Sequence, residues 1–421
     1  MSGDRTAFFF GAGQHRAEGE LADTINPGDI AMKRRELLSM PAALAAQAPG
    51  ADNRLRGAVI GSGGRGRFLT AQFRELGVEM AAVCDVYAPN LEAGLRQASA
   101  GAKSHTDYRR LLEDKSLDLV IVATPDHWHA RMTIDAVQAG KDVYVEKPMA
   151  HTIEEGFAII KATRGSRRVV QVGTQRRSSP FFQEARRLMG DAGDVRLVTS
   201  WWMNHQTALS DAKLGGPLDW KQWLGSAPAR PEDALRFFNW YYFWDYSGGM
   251  MVGQAAHIVD AIHWFMDASY PAAVTCAAAP PQLAGAEIPE TTSMSIEYPE
   301  GFLAVFSCGY KAMRYHPFHD QIKQFHGDRA RLDVGREWCA LYPQTKEIEL
   351  KPSVEDRRPG SFGPATTAHI RNFLDCVKSR EDPNATVEMG QWTNVVLCMA
   401  MESLKAGRRV TYDPRTRTTS A

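Results

Sequence analysis

One short stretch, residues 58–66, constrains the fold more than any other part of the sequence. A short apolar run leads directly into the pattern G-x-G-x-x-G, and an amphipathic segment follows it. This order of strand, glycine turn and helix is the context in which the pattern marks a dinucleotide site. The first glycine permits a tight turn, the second lets the backbone approach a pyrophosphate, and the third allows close packing of helix on strand. The residues predicted to contact the dinucleotide here are Gly61, Ser62, Gly63, Gly64, Arg65 and Gly66.

A carboxylate follows at the distance that this kind of site requires. The apolar segment Met80–Cys84 ends in Asp85, 19 residues after Gly66. A carboxylate at that place can accept a hydrogen bond from the ribose 2′-hydroxyl, and it repels a 2′-phosphate. The sequence therefore predicts NAD as the cofactor and makes NADP the less favoured one.

Length and charge narrow the class of protein further. A chain of 421 residues can form two domains, each with its own core. Its 49 basic and 49 acidic side chains leave no net charge, which argues against nucleic acid or an acidic membrane as a partner. No apolar run approaches the ~18 residues of a membrane span. The six cysteines show no metal-binding spacing, so we predict no metal.

The first 54 residues are predicted to be a leader. Met32 opens a segment with paired arginines at Arg34 and Arg35, a small apolar run, and an A-x-A pattern at residues 46–48. These are the parts of a twin-arginine export signal. We expect Met32 to be the true start and the protein to be periplasmic; the alternative is a cytoplasmic protein with a disordered extension.

Strands and helices alternate through residues 55–175, which predicts an α/β domain of the Rossmann type with a doubly wound parallel sheet. One apolar strand, Leu117–Thr124, ends in the sequence Pro-Asp-His-Trp-His, and the strand Asp142–Val145 ends in Glu-Lys-Pro. Open parallel sheets bind ligands at the carboxyl ends of their strands. Further candidates for cofactor binding are therefore Thr124, Pro125, His127, His129, Glu146 and Lys147.

The pattern changes in residues 176–414. Long segments of alternating polarity with few helices between them predict an α+β domain with a large, mainly antiparallel sheet. Two helices near residues 368–377 and 389–405 are expected to return and brace the domains, and residues 415–421 to form a tail. The predicted strands are Val195–His205, Ala273–Ala278, Thr291–Tyr298, Leu303–Tyr310 and Gln321–Phe325.

The glycine loop, the Thr-Pro-Asp-His-Trp-His segment at residues 124–129, the Glu-Lys-Pro at 146–148 and the antiparallel second part together resemble the glucose-fructose oxidoreductase / inositol dehydrogenase (Gfo/Idh/MocA) family. The likeness runs from about residue 55 to 414. The Val-Gly-Thr-Gln at 172–175 and Trp-Lys-Gln-Trp-Leu-Gly at 220–225 resemble its poorly characterised, often exported branch. The resemblance implies a nicotinamide in the first domain, a sugar or cyclitol on the second, and a homodimer or homotetramer.

Two residues are the candidates for catalysis. Oxidation of a secondary alcohol needs a base for the hydroxyl proton and a cation that stabilises the developing alkoxide. Lys147, at the carboxyl end of a strand, suits the role of the cation. His257 resembles the histidine of the family's Gly-Gly…His-x-x-Asp segment, and an imidazole titrates near working pH. The residues predicted to contact substrate are Lys147, Arg176, Tyr242, Gln254 and His257.

The chain departs from the family at one position. The family commonly has an aspartate four residues before this histidine, and here that residue is Gly253. Residues four apart share one face of a helix, so the missing carboxylate would have stood beside His257. Gln254 or Asp260 are the candidates that compensate for it.

Three functions stay open at this point. The first is a net NAD-dependent dehydrogenase of a sugar, glycoside or cyclitol. The second is a glycosidase or lyase that oxidises ring C3 transiently, eliminates, and takes the hydride back without net redox change; its extra base would be one of His127, His129, His205 or Tyr242. The third is a non-catalytic protein that binds sugar or nucleotide.

Overall fold

The computed structural model describes residues 54–206, 208–309 and 312–421, and the account below concerns these. The segment predicted to carry the export signal lies outside them. The prediction of an α/β fold with two sheets of different character is confirmed.

The first sheet has six parallel strands in the order β3-β2-β1-β4-β5-β6. Reversal of the strand order beside β1 is the hallmark of a doubly wound sheet, and it opens a crevice at the carboxyl ends of the strands. The strands are β1 (Arg56–Ile60), β2 (Glu79–Cys84), β3 (Lys103–His105), β4 (Leu119–Val122), β5 (Asp142–Val145) and β6 (Val170–Val172). The helices between and after them are α1 (Gly64–Glu75), α2 (Ala88–Leu95), α3 (Tyr108–Leu112), α4 (Asp126–Gln138), α5 (Ile153–Arg164), α6 (Pro180–Arg187) and α7 (Met189–Ala192).

Helices cover both faces of this sheet, which explains the near-continuous apolar strands. Along β4, Leu119 and Ile121 face a core that includes Phe73 of α1. The alternate residues Val120 and Val122 face a second core, built with α4 and α5. Because both faces are buried, a one-residue slip would move each side chain into the opposite core, where it would not fit the existing packing.

The second sheet has ten strands in the order β14-β13-β12-β11-β7-β10-β9-β8-β15-β16. All neighbouring pairs are antiparallel except the central pair β7–β10. The strands are β7 (Leu197–Met203), β8 (Ala273–Ala278), β9 (Thr292–Glu297), β10 (Leu303–Gly309), β11 (Gln321–His326), β12 (Ala330–Val334), β13 (Trp338–Pro343), β14 (Val354–Arg357), β15 (Val410–Asp413) and β16 (Thr418–Ser420). The expected tail at 415–421 was therefore wrong, because β16 pairs with β15 at the sheet edge.

Three long helices pack in this half of the chain: α10 (Gly249–Met266), α11 (Phe362–Ser379) and α12 (Val387–Ala406). Helices α10 and α12 share the main core with one face of the second sheet. Phe373 of α11 packs instead in a core of the first sheet, and Val387 at the start of α12 in the other. The expected return of the two C-terminal helices is confirmed, and they join the two sheets.

The segment between β7 and α10 folds over the crevice of the first sheet. It contains α8 (Trp220–Leu224), α9 (Ala234–Phe238) and a 3₁₀-helix at Trp240–Tyr242, and another 3₁₀-helix, Gln175–Ser178, follows β6. Tyr87, after β2, forms an antiparallel bridge with Leu218. The aromatic side chains of this segment form a core of their own. The segment thus supplies a wall to the crevice.

Candidate active site

The glycine loop has the geometry that its sequence predicts. Gly61 has a φ of +86°, a conformation that other residues rarely adopt. A Cβ on Gly66 would stand 1.9 Å from the carbonyl oxygen of Gly61, so only glycine lets α1 approach β1 this closely. A Cβ on Gly63 or Gly64 would meet no atom within 4 Å. The backbone is therefore bare on the side where a pyrophosphate approaches, and the first amides of α1 have no side-chain cap.

Asp85 stands at the carboxyl end of β2, beside this loop. One carboxylate oxygen accepts from the backbone amide of Ser62 at 2.7 Å, and the other accepts from the amide of Tyr87 at 2.9 Å. Burial raises the pKa of Asp85, against these two amide hydrogen bonds. The Ser62 hydroxyl also donates to the first oxygen, at 3.3 Å. Because a carboxylate offers about four lone-pair positions, the fixed Asp85 can still accept from a ribose hydroxyl.

A cavity of about 440 Å³ runs from the glycine loop to Lys147. One wall comes from the carboxyl ends of the parallel strands and the other from the aromatic segment. Bare backbone, helix amides and a carboxylate around one cavity fit a dinucleotide. Its lining includes Gly61, Gly63, Gly64, Arg65, Asp85, Thr124, Pro125, Asp126, Trp128, His129, Glu146, Lys147, Trp223, Phe237, Phe238, Trp240 and Tyr241.

Lys147 connects the cavity to the second half of the chain. Its ammonium donates a hydrogen bond of 3.2 Å to the carbonyl oxygen of Gly253 in α10. Burial lowers the pKa of Lys147, although the carboxylates of Glu146 and Asp126 act in the opposite direction. The ammonium is thus held at the wall of the cavity, one helical turn before His257.

His257 lies on α10, four residues after Gly253 and on the same face of the helix. Its Nδ1 is buried and has no hydrogen-bond partner among the described residues. Burial, followed by the positive charges of Lys147 and Arg176, holds the pKa of His257 well below its usual range. The imidazole is therefore neutral near pH 7 and able to accept a proton. It is not among the described residues that line the cavity.

The two carboxylates beside Lys147 differ in their surroundings. Glu146 accepts from the guanidinium of Arg65 at 2.7 Å. Burial acts to raise the pKa of Glu146, but the positive charges of Arg65 and Lys147 outweigh it and the net pKa is lowered. Asp126 accepts from the hydroxyl of Ser247 at 2.6 Å, and burial raises its pKa. Glu146 is thus a fixed negative charge, and its ion pair holds the Arg65 guanidinium beside the glycine loop.

Two family models match the chain. The model for the NAD-binding Rossmann fold of an oxidoreductase family covers residues 55–174, and the model for the GFO/IDH/MocA C-terminal domain covers residues 182–333. The chain belongs to the GFO/IDH/MocA family. It is thus an oxidoreductase whose cofactor is NAD, and the predictions of family and cofactor are confirmed.

Similar proteins are known within and around this family. Inositol 2-dehydrogenase 2 of Saccharopolyspora erythraea is 28% identical over 359 residues, which are 83% of this chain and 93% of that protein. An alpha-N-acetylgalactosaminidase of Shewanella oneidensis is 36% identical over 110 residues, 24% of each protein. A solved structure of levoglucosan dehydrogenase in complex with NADH and levoglucosan has the same fold, with a TM-score of 0.68 at 16% identity, over 85% of this chain and 99% of that one.

Not every candidate of the first sheet reaches the cavity of this family member. The His127 ring packs against Trp223 and Tyr246, and its Nε2 lies 3.2 Å from the carbonyl oxygen of Trp223. His127 therefore does not line the cavity, contrary to the prediction that it contacts the cofactor. His129 does line the cavity, but its ring nitrogens lie 2.7 Å and 2.8 Å from the carbonyl oxygens of Pro148 and Thr124. Both ring nitrogens of His129 are thus within hydrogen-bonding distance of backbone carbonyl oxygens.

Three of the residues predicted to contact substrate or to replace the missing carboxylate do not line the cavity. Arg176 is 1% exposed and donates to the carbonyl oxygen of His257 and to the side chain of Gln321. It therefore supports α10 and does not reach the cavity lining. Asp260 forms a buried ion pair with Arg177 at 2.8 Å and cannot replace the missing carboxylate. Gln254 is not among the described residues of the cavity lining.

The tyrosine that reaches the cavity is the neighbour of the one the sequence suggested. Tyr242 is buried in the aromatic core and donates to the Gln206 side chain at 2.9 Å, whereas Tyr241 lines the cavity. The run of aromatic residues signalled this region, but adjacent residues of a 3₁₀-helix point in different directions, and only the fold distinguishes them. His205 faces the carbonyl oxygen of Ala312, outside the lining.

The described ranges contain no cluster of three His, Cys, Asp or Glu side chains suited to a metal ion. No helix within them has the length and apolar character needed to cross a bilayer.

Proposed function

We propose that the protein oxidises a secondary alcohol of a sugar, glycoside or cyclitol. The observation that carries this is the position of Lys147, whose ammonium shares one cavity with the glycine loop and touches the helix that bears His257. When bound, NAD⁺ supplies the acceptor for the hydride. The names of two similar proteins, inositol 2-dehydrogenase and levoglucosan dehydrogenase, support a polyhydroxylated ring as the substrate.

The residues of the chain perform two tasks in this proposal. Lys147 stabilises the negative charge that develops on the substrate oxygen, which a cation in a water-poor site does more strongly than one in bulk water. The neutral His257 takes the hydroxyl proton, for which its lowered pKa keeps it ready. The Gly61–Gly66 loop would hold the pyrophosphate of the dinucleotide, and Asp85 the ribose beside it.

Replacement of Lys147 tests the proposal. In Lys147→Met we expect kcat for the best substrate of a polyol and cyclitol panel to fall about 100- to 1,000-fold, the loss typical of one such donor. NADH should still bind, because the glycine loop is untouched. Lys161→Ala, on the exposed side of α5, is the matched control and should keep full activity. Equal activity of Lys147→Met and the wild type would refute the proposal.

A second candidate function rests on the match to the alpha-N-acetylgalactosaminidase. In that function the protein would oxidise the ring transiently, cleave the glycosidic bond by elimination, and return the hydride. Release of nitrophenol from nitrophenyl glycosides without accumulation of NADH would favour it. Stoichiometric NADH formation with a free polyol would favour the net dehydrogenase.

Export is a separate proposal that rests on Arg34 and Arg35. A twin-arginine pathway carries folded proteins, which suits an enzyme that acquires its cofactor in the cytoplasm. We expect the wild type in the periplasmic fraction and the Arg34→Lys/Arg35→Lys variant in the cytoplasm. Cytoplasmic location of both would contradict this.

Assembly into a homodimer or homotetramer is the last part of the proposal. Its support is the second face of the large sheet, where Trp201, Met203 and Val305 are half-buried and Leu197 and Leu303 are exposed. Apolar side chains on an open sheet face favour contact with another subunit. Light scattering of the wild type and of Trp201→Arg tests it, and a monomeric wild type would contradict it.

A further inference from the structure

The phenol of Tyr241 lies where a side chain at position 253 would otherwise stand. A Cβ placed on Gly253 would stand 1.2 Å from the hydroxyl oxygen of Tyr241 and 2.2 Å from the ring carbon that bears it. Real Cβ atoms essentially never come within 3.0 Å of a non-bonded heavy atom elsewhere in the chain. The Tyr241 hydroxyl therefore occupies the space into which any side chain at position 253 would extend.

The same residue is the contact point of the catalytic cation. The Lys147 ammonium donates to the carbonyl oxygen of Gly253, and both Lys147 and Tyr241 line the cavity. Phenol and ammonium thus converge on one turn of α10 from different parts of the chain. A larger residue at position 253 would exclude the phenol, so glycine is the condition for this arrangement.

We propose that Tyr241 is a catalytic residue, which donates a hydrogen bond to the substrate oxygen beside Lys147; this rests on the proposed function. As the substrate C–H bond breaks, its hydrogen leaves with both electrons for NAD⁺. The hydroxyl proton passes to His257, and the oxygen keeps its electron pair as the C=O bond forms. Tyr241 keeps its own proton throughout and stabilises the charge on the oxygen together with Lys147.

A phenol and a carboxylate at this position favour different hydrogen-bonding groups on the substrate. A carboxylate only accepts hydrogen bonds and adds a negative charge beside the ammonium, whereas a phenol can donate and adds no charge. The pair of donors therefore favours a strongly accepting oxygen, as in an alkoxide or a ketone.

Two neighbouring tyrosines provide the test and its control. In Tyr241→Phe the ring that lines the cavity remains, so KM and NADH affinity should change less than about threefold while kcat falls about 100-fold. Tyr242→Phe loses a hydroxyl that points to Gln206, outside the lining, and should stay within about twofold of the wild type. Activity is followed both as NADH formation from polyols and as nitrophenol release from glycosides.

The steric part of the proposal has its own measurement. Gly253→Ala should displace the phenol and reduce kcat as much as Tyr241→Phe does, and it should lower the melting temperature. In a Tyr241→Ala background the same alanine has room, so it should change neither quantity further. Additive losses in this double-mutant cycle would overturn the placement of the hydroxyl.

The outcomes separate the two proposals. Loss of activity in Lys147→Met but not in Tyr241→Phe overturns the role of Tyr241 and leaves the proposed function standing. Equal activity of both variants and the wild type overturns the proposed function. Loss in both, with Tyr242→Phe unchanged, supports both, and equal losses in Tyr241→Phe and Tyr242→Phe would reduce Tyr241 to a structural residue.

Discussion

The two ends of the cavity are built in different ways. At the glycine loop the contacts are made by backbone: one glycine turns, another leaves open space, and a third lets a carbonyl come within 1.9 Å of where a Cβ would be. At the Lys147 end they are made by two side chains, those of Lys147 and Tyr241, which meet at Gly253 of α10. Backbone sites depend on a few consecutive residues, whereas side-chain sites depend on the whole fold. Mutations should therefore affect binding and stability at the first end, and catalysis at the second.

The largest effect of the three further predictions is expected at the side-chain end, at His257. Removal of a general base costs about 100- to 10,000-fold, so we expect a loss in this range for kcat/KM in His257→Gln. A base acts when it is unprotonated, and the pKa of His257 lies well below the 6.5 of an ordinary histidine. The acid limb of the wild-type kcat/KM profile should therefore fall below pH 6.5 and vanish in the variant.

His326→Gln, on β11 and outside the cavity lining, serves as the control for that profile. A wild-type acid limb at pH 7 or above would show that another group takes the proton. The side-chain end would then lack the base that distinguishes it from the glycine loop.

A smaller effect is expected at the backbone end, in Gly66→Ala. Overpacking against Gly61 should reduce the free energy of unfolding by about 1–3 kcal/mol and, if it displaces α1, weaken NADH binding by about 10- to 100-fold. Denaturant unfolding and fluorescence titration measure the two. In Gly64→Ala the added methyl group meets no atom within 4 Å, so its unfolding should match that of the wild type. Identical unfolding curves for the two variants would contradict the packing argument.

The smallest effect is expected at Asp85. Loss of one hydrogen bond to a charged group is worth about 1.5 kcal/mol, so Asp85→Ala should reduce the preference for NADH over NADPH about tenfold. Asp107→Ala, which loses the cap of α3 but no cavity contact, should keep the wild-type ratio. An unchanged ratio in Asp85→Ala would remove Asp85 from the ribose site and leave the glycines alone to define that end.

The second sheet shows how far a polarity pattern can be followed. The strands expected up to Phe325 are present, among them β8 at Ala273–Ala278 with the expected bounds. Beyond β11 the described residues form β12 to β16, which the polarity pattern did not predict. The last strands are short, and β14 and β16 remain largely exposed. Such strands are held by the neighbours they pair with, so their own residues carry little signal.

The local sequence predicts the dinucleotide end: the glycine spacing, the strands around it and Asp85 lie within thirty residues, and backbone geometry follows from local residue types. It also placed Lys147 at a strand end. Three further features follow from packing in the folded chain: Tyr241 and not Tyr242 faces the cavity, Arg176 is buried against α10, and a phenol fills the space beside Gly253. The direction of a side chain depends on packing against other segments, as for Arg176 and His257, which are 81 residues apart in the sequence.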